Sequence, residues 1–567
     1  MAKWIVGSAW PYVNAVPHLG NLIGSILSAD VFARFLRLMD EDVVAVSGSD
    51  EHGTPIEVEA RKRGMEPKEL TDKMHNYVKS LFERFEIAFD NYTRTHNDVH
   101  IKFVQETFMK IYENGYVFTK DLLMPYCLKD EMFLPDRFVT GTCPYCGAKG
   151  ARGDQCDFCG KLLDPVDLID PKCSLCGSRP TWRKTKHFFF DLPKAAKGLD
   201  QWIKESDLPE NVKNTTLHWL KEGLTPRAIT RDNKWGIPAP FPGAEGKTIY
   251  VWFEAVLGYL SAVKELDVKN GTNLFEYFWK DQSSRPVYFI GKDNIPFHSI
   301  ILPALLRATG EEYPLPYNIS ATEYLMYEGK KFSKSRRIGV WIDEALKLVP
   351  EPDYWRFALI RMRPEDRDTN FTWSEFYRIV NSELNDDIGN FAHRVLTLIK
   401  RKLNGNVNGK IDEEIARKIE ELHDKYVKAM YQVRMKEATN YLLEMARLGN
   451  KYLNEKEPWK LLKCCPEKAS DVLYTSLYIL REIALHLAPF APASAQRLWE
   501  MLGEEGDVNS KGTLAKEHSR PPKNEIGEPK PLFKKLPEEF SDPNYVEGLL
   551  QEIREEVEKE RPIPFFT

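Results

Sequence analysis

The sequence predicts an α/β chain: a doubly wound parallel sheet, interrupted by a cysteine-rich insertion and followed by an α-helical bundle. Three observations carry that reading. Short apolar runs alternate with amphipathic helical stretches over the first hundred residues and again near residue 290. Seven of the nine cysteines fall between Cys127 and Cys176. From about residue 381 the apolar spacing turns helical and stays so to about 502.

The bulk numbers are consistent with this. A chain of 567 residues is too long for one core, so two to four domains are expected. With 43% apolar and 29% charged residues it has the composition of an ordinary water-soluble protein. A net charge of −5 argues against bulk attraction to nucleic acid or anionic membrane, though it leaves room for a local basic patch. The first residues read as a strand rather than a signal peptide, and no run of eighteen apolar residues occurs. The most apolar helix, Leu19 to Leu38, carries Asp30, Arg34 and Arg37 and belongs in water. A cytoplasmic protein without a membrane partner is expected.

Taken in order, Trp4–Val6 is a strand that dissolves into "SAWPYVN", and His18 to Asn21 open a helix. Val43–Val46 is a second strand, ending in "SGSDEHGTP". Val287–Ile290 repeats the plan, with Gly291–Asn294 as its exit and a helix that stops at Gly310, a C′ glycine. The insertion occupies roughly 118–230. In the bundle, Leu384, Ile388, Phe391, Val395 and Leu398 fall on one helical face. Residues 503–543 read as an irregular connection, and Tyr545–Glu560 as a charged helix before "RPIPFFT". Cys464 and Cys465, set in a helical period, are expected to be buried, inert thiols.

Two stretches point to phosphate chemistry. A helix N-terminus presents unpaired N–H groups and a positive dipole end. Gly20 leaves room there for a ligand, while His18 and the Asn21 amide can donate from one face. The plainer alternative is a capped helix with an incidental histidine. In "EGKKFSKSRR" five of the eight residues Lys330 to Arg337 are basic, spaced by small residues. A solvated loop is the alternative to a mobile one that brings an ammonium to a polyphosphate.

Together, "HLGN" and "KFSKS" resemble the two signature sequences of class I aminoacyl-tRNA synthetases, with Asn21 where the family usually has a second histidine and Phe332 where many members have Met. Within that class, "AWPYVNAVPHLGN", "SGSDEHGTP", "FLPDRFVTGTCPYC", "YVWFEAVLGY", "FIGKDNIPFH" and "NEKEPW" resemble methionyl-tRNA synthetase segments, in order, over essentially the whole chain. The resemblance implies a class I Rossmann-type parallel sheet interrupted by a zinc-knuckle insertion, then an α-helical bundle that binds the anticodon. The implied divisions are a first Rossmann half (1–117), the insertion (118–230), a second half (231–325), a KFSKS-loop connecting domain (326–380), the bundle (381–543) and a final helix and tail (544–567).

It also implies a site. His18, Asn21 and Lys334 would stabilise charge during catalysis. His18, Gly20, Asn21, Gly291, Asp293, Lys331 and Lys334 would bind ATP with its Mg2+. Ala9, Trp10, Tyr12, Trp252, Ala255, Tyr259 and His298 match the family's methionine pocket, whose aromatic faces suit a thioether; Val256 stands where such pockets often have Pro. Asp50 would take the substrate ammonium, with Arg231 as its electrostatic neighbour. Asn390, Arg394 and Trp459 match anticodon-reading positions. The partners implied are methionine, ATP and tRNA(Met), together with a C-terminal dimerisation or tRNA-binding module, or a partner protein, that relatives often have and this chain does not contain.

The knuckles can be read without any family. "CPYCG", "CDFCG" and "CSLCG" each place two sulfurs to chelate one ion. Cys143, Cys146, Cys156 and Cys159 form a four-thiolate structural zinc site. Cys173 and Cys176 need partners. Cys127 and Asp130 (where some relatives have a second cysteine) would complete a second zinc shell, against the alternative of a metal-free knuckle.

The activity expected is methionine activation by ATP to methionyl-adenylate, with release of pyrophosphate, then transfer to the 3′ end of tRNA. Three rival activities share part of this pattern. Another class I synthetase would share both signatures, but an insertion of about 110 residues with zinc knuckles leaves no room for the large editing domain of the apolar-acid enzymes. A non-catalytic zinc-knuckle RNA-binding protein would not need Asp50, Trp252, His298 and Lys334 together. A nucleotidyltransferase outside tRNA biology would lack the bundle.

Overall fold

The computed structural model describes residues 2–565. Five parallel strands form the central sheet in the order Asn318–Thr322, Arg285–Gly291, Lys3–Ser8, Asp42–Ser49 and Asn91–Arg94. The three central strands are largely apolar and buried because helices cover both faces, whereas the edge strand Asn91–Arg94 is polar and only partly buried. The strand order reverses between Lys3–Ser8 and Arg285–Gly291, so a crevice opens beyond their carboxyl ends. "SAWPYVN" and "GKDN" leave the sheet at that point.

The helix after the first strand is not regular. An α-turn, Leu19–Asn21, passes through a π-turn, Leu22–Ile26, into the α-helix Leu27–Leu38. The run is long and apolar enough to meet a membrane-span criterion, yet it is packed inside the fold. Its buried Asp30 pairs with Arg34 at 2.9 Å and with the buried Arg356 at 2.8 Å.

The insertion holds two small antiparallel sheets. One joins Arg227–Ala228, Thr181–Phe190, Val117–Cys127 and Met132–Phe133; the other joins Lys149–Arg152, Val139–Thr142 and Ile169–Cys173. Its own apolar cluster is small, and four cysteines, Cys127, Cys143, Cys156 and Cys173, belong to it.

The bundle begins with one continuous helical run. The α-helix Trp373–Arg378 passes into a π stretch, Ile379–Gly389, and on into Asn390–Leu403. Leu384, Ile388, Phe391 and Val395 are fully buried, as their spacing predicts. Leu398 is only half-buried, and Ile399 takes its place in the core. The apolar face has drifted by one residue, because 3.6 residues per turn do not keep a seven-residue interval in phase. Helices Glu413–Tyr431, Met435–Lys456 and Pro466–Leu487 complete the bundle. Cys464 and Cys465 are not buried: the first is exposed and the second half-exposed, because the helix Pro458–Cys464 ends there at the surface. The final helix, Pro543–Glu560, returns to the connecting segment that carries "KFSKS".

Candidate active site

A cavity of about 640 Å³ lies at the sheet crevice, lined among others by Ala9, Trp10, Tyr12, His18, Gly20, Asn21, Gly291, Asp293, Lys331 and Phe332. The sequence-predicted ATP residues, Lys334 excepted, therefore share one space. A Cβ at Gly291 would meet no protein atom within 4 Å, so the strand end is open to a flat ligand. Asp293 accepts from the Tyr324 hydroxyl at 2.7 Å, a partner the sequence reading missed.

His18 does more than flank the helix. Its Nδ1 accepts from the backbone amides of Gly20 (3.0 Å) and Asn21 (3.3 Å), while the Asn21 carboxamide oxygen accepts from the His18 amide at 3.1 Å. This is a capping box with histidine as the cap. The expectation of free first-turn amides is thus corrected: these two are already bonded. With Nδ1 an acceptor, a neutral ring carries its proton on Nε2, and burial drops the His18 pKa to about 4. Gly20 is required by the cap itself, since a Cβ there would come 2.9 Å from the imidazole. Phe332 of "KFSKS" stacks on His18 at 4.2 Å and 13°, so the two signatures touch. Lys334 does not line the cavity; its Nζ sits 4.4 Å over the ring of Phe565.

The methionine-pocket residues are split between neighbouring spaces. Ala9, Trp10 and Tyr12 line the larger cavity, whereas Tyr12, Arg231 and Trp252 line an adjoining one of about 240 Å³. Tyr259 and His298 are buried and bonded to each other at 2.8 Å. Ala255 is half-buried on the helix of Trp252. Trp10 lies so close to Gly48 and Gly258 that a Cβ at either would come 2.5 Å from its ring. Those two glycines, visible in "SGSD" and "LGY", had no role until the fold set Trp10 against them.

Asp50 is buried, and its Oδ1 has no hydrogen-bond partner among the described residues. Burial, then the nearby Glu254 and Glu51, hold its carboxyl far above the usual carboxylate range. Arg231 is not its neighbour: the guanidinium donates to Asp136 at 3.0 and 3.2 Å and lies 3.8 Å over the Tyr250 ring. Position 136 is ninety-five residues away in sequence, in the insertion, and no local pattern announces it. Glu254 was also missed. Its Oε1 and His52 Nδ1 share a hydrogen bond of 2.7 Å, Tyr12 donates to the His52 carbonyl, and the ring of His100 stacks against Trp10.

The two metal-ligand sets assemble as the spacing predicted. Cys143, Cys146, Cys156 and Cys159 bring their sulfurs within 4.8 Å of one another, with gaps of 3.8 and 3.7 Å along two edges. A tetrahedron with Zn–S near 2.3 Å has edges of about 3.8 Å, so the donors fit. Cys127, Asp130, Cys173 and Cys176 also converge, with Asp130 Oδ2 3.3 and 3.1 Å from the sulfurs of Cys127 and Cys173.

In the bundle, Arg394 lies 5.7 Å over the Trp459 ring and donates to Asn454 at 2.7 Å. Asn390, one turn earlier, is exposed and donates to Asp386 at 3.3 Å. Trp459 follows the buried Pro458 and keeps 38% of its surface exposed.

Comparison with known proteins decides the family. Residues 4–396 match the model for class I tRNA synthetases (M), and residues 403–545 match the anticodon binding domain of methionyl tRNA ligase. The chain is 76% identical over 564 residues to methionine–tRNA ligase of Ignicoccus hospitalis, covering 99% of this chain and all of that one. The chain belongs to the methionyl-tRNA synthetase family. A second such relative, from Korarchaeum cryptofilum, is 54% identical over 95% of this chain and 96% of its own length. In fold, it resembles Mycobacterium tuberculosis methionyl-tRNA synthetase in complex with methionyl-adenylate, with a TM-score of 0.78, 24% identity and coverage of 94% of this chain and all of that one. Methionyl-tRNA synthetases are aminoacyl-tRNA ligases, and this chain is one of them.

Proposed function

We infer that this enzyme joins methionine to ATP in the 640 Å³ cavity, releasing pyrophosphate, and then passes the methionyl group from the adenylate to the 3′ end of tRNA(Met). The observation that carries this reading is the contact between the signatures: Phe332 stacked on His18 at the rim of a cavity that also holds Gly291 and Asp293. The methionine carboxylate attacks the α-phosphate, and negative charge grows on the phosphate oxygens. His18 Nε2–H, the Asn21 carboxamide and the ammonium of Lys331 or Lys334 are donors for that charge, which is where enzymes of this type gain most. No residue forms a covalent bond to substrate. Mg2+ bound with ATP would supply charge neutralisation for the pyrophosphate leaving group, with Asn21, Lys331 and Lys334 as the chain's own donors beside it.

Asp50, buried beside the cavity wall, takes the substrate ammonium. Trp10, Tyr12, Trp252, Ala255, Tyr259 and His298 supply the apolar surround of the side chain. Arg231, bonded to Asp136, acts on this pocket by tying the insertion to its wall. The four-thiolate set holds structural Zn2+, and the Cys127, Asp130, Cys173 and Cys176 set a second, both closed shells that pin the small insertion core. Asn390, Arg394 and Trp459 read the anticodon, the indole face offering a stacking platform. None of the nine cysteines is paired in a disulfide, which suits a reducing, cytoplasmic setting.

Amino-acid-dependent ATP–pyrophosphate exchange across all twenty amino acids tests the reading. Methionine should drive exchange at least tenfold better than any other. Equal exchange with leucine, valine or cysteine would overturn the pocket assignment, since an apolar pocket separates near-isosteres by only about 1–3 kcal/mol.

A further inference from the structure

Lys334 is a residue of the second signature, yet it is turned away from the cavity that Lys331 and Phe332 line. What it meets instead is a built seat. The ring of Phe565 is buried, with Lys334 Nζ 4.4 Å and the Arg561 guanidinium 3.9 Å from its centroid. Trp341 packs against the same ring edge-on at 6.1 Å. The segment carrying Phe565 is fixed at two points. Arg561 donates to Asp343 at 2.8 and 3.0 Å and to Glu344 at 3.3 Å, on the helix Ile342–Leu348 that follows the loop. Arg63, at the end of helix Thr54–Lys62, donates to the Pro564 carbonyl at 2.7 Å.

We propose that Phe565, held in place by Arg561, is the resting seat of Lys334: a positioning pair that keeps the ammonium out of the ATP cavity until a polyphosphate draws it in. This rests on the reading that Lys334 stabilises charge during adenylate formation. The seat is a weak one. Burial, Arg63 and Arg561 disfavour the charged lysine there, while Glu59 and Glu558 oppose them. A cation over an aromatic face at a partly exposed site is preferred by a factor of about two to five. The charge of a triphosphate exceeds that hold, so ATP empties the seat. The loop can exchange the two positions without unfolding, because its base stays bonded. Leu19 donates to the Val340 carbonyl at 3.1 Å, Ile342 to the Pro17 carbonyl at 3.0 Å, and Arg554 to the Gly339 carbonyl at 2.7 Å.

The test is steady-state ATP–pyrophosphate exchange at saturating methionine, with ATP varied, on the full chain. Phe565→Leu keeps apolar contact with Trp341 but removes the π face; Phe565→Trp keeps the face. The seat predicts that Phe565→Leu lowers KM for ATP about two- to fivefold with kcat within twofold, and that Phe565→Trp matches wild type. An unchanged or raised KM in Phe565→Leu, or the same shift in Phe565→Trp, overturns the proposal. Lys334→Ala separates the two claims. If Lys334→Ala alone exchanges like wild type, the role of Lys334 itself fails. If Lys334→Ala is impaired while Phe565→Leu is silent, only the seat fails. In the Lys334→Ala background Phe565→Leu should shift nothing, and a persisting shift contradicts the seat.

Discussion

Asp50 and Lys334 carry opposite electrostatic burdens, and each yields an expectation. Asp50 is desolvated and crowded by Glu254 and Glu51, which together hold its carboxyl well above the usual carboxylate range. A substrate ammonium beside it favours the carboxylate, so its pKa falls on binding and the proton leaves. Methionine binding at a pH above the usual carboxylate range should therefore be accompanied by proton release. Calorimetry in buffers of different ionisation enthalpy measures this directly, and Asp50→Asn should abolish the release. Lys334→Ala should lower exchange by a factor on the order of 10² while methionine affinity stays near wild type; a loss confined to methionine binding would contradict its charge role. Lys334 was legible in the sequence as an ammonium set among small residues in a basic run, whereas Asp50 followed only from the family resemblance of "SGSDEHGTP". Partners were not legible. Arg231 finds Asp136 in the insertion, and Trp10 lies against glycines 38 and 248 positions later, pairings that only the folded chain makes.

Among the elements, the cysteine knuckles were the clearest sequence signal, since C-x-x-C-G encodes both chelation and the turn that permits it. Cys143 and Cys156 are buried in a cluster of barely a dozen residues, so ions held by the two sets would substitute for a core the insertion lacks. Elemental analysis after exhaustive dialysis should give close to two zinc per chain, and a value near one would remove the Asp130 set. Cys143→Ala should lower the unfolding temperature more than it lowers exchange, because a closed tetrahedral shell offers substrate no open position. The helices were legible in type but less so in detail. π-turns at Leu22–Ile26 and Ile379–Gly389 rephase helices whose apolar spacing reads as ordinary 3.6-residue periodicity. One such turn follows the first signature and the other precedes Asn390, so both re-aim a functional stretch. The exposure of Cys464 shows the limit from the other side: helical period locates a face only while the helix continues.

Over the whole molecule, a single apolar cluster runs from Trp4 under the parallel sheet to Val395 and Leu477 in the bundle. Arg356 ties the two across that core, donating to the carbonyls of Phe85, Pro489 and Phe490. The residues predicted to bind phosphate and methionine, Lys334 excepted, lie at or beside the sheet crevice, while Asn390, Arg394 and Trp459, predicted to read the anticodon, lie on the bundle. This division is expected to separate adenylate formation from tRNA recognition. It is tested most directly by measuring one variant, Trp459→Ala, in two assays. Stacking of one base is worth roughly 1–3 kcal/mol, so charging of tRNA(Met) should fall by about 10- to 100-fold. Methionine-dependent pyrophosphate exchange without tRNA should stay within twofold of wild type. Normal charging by Trp459→Ala, or a matching fall in exchange, would contradict the account.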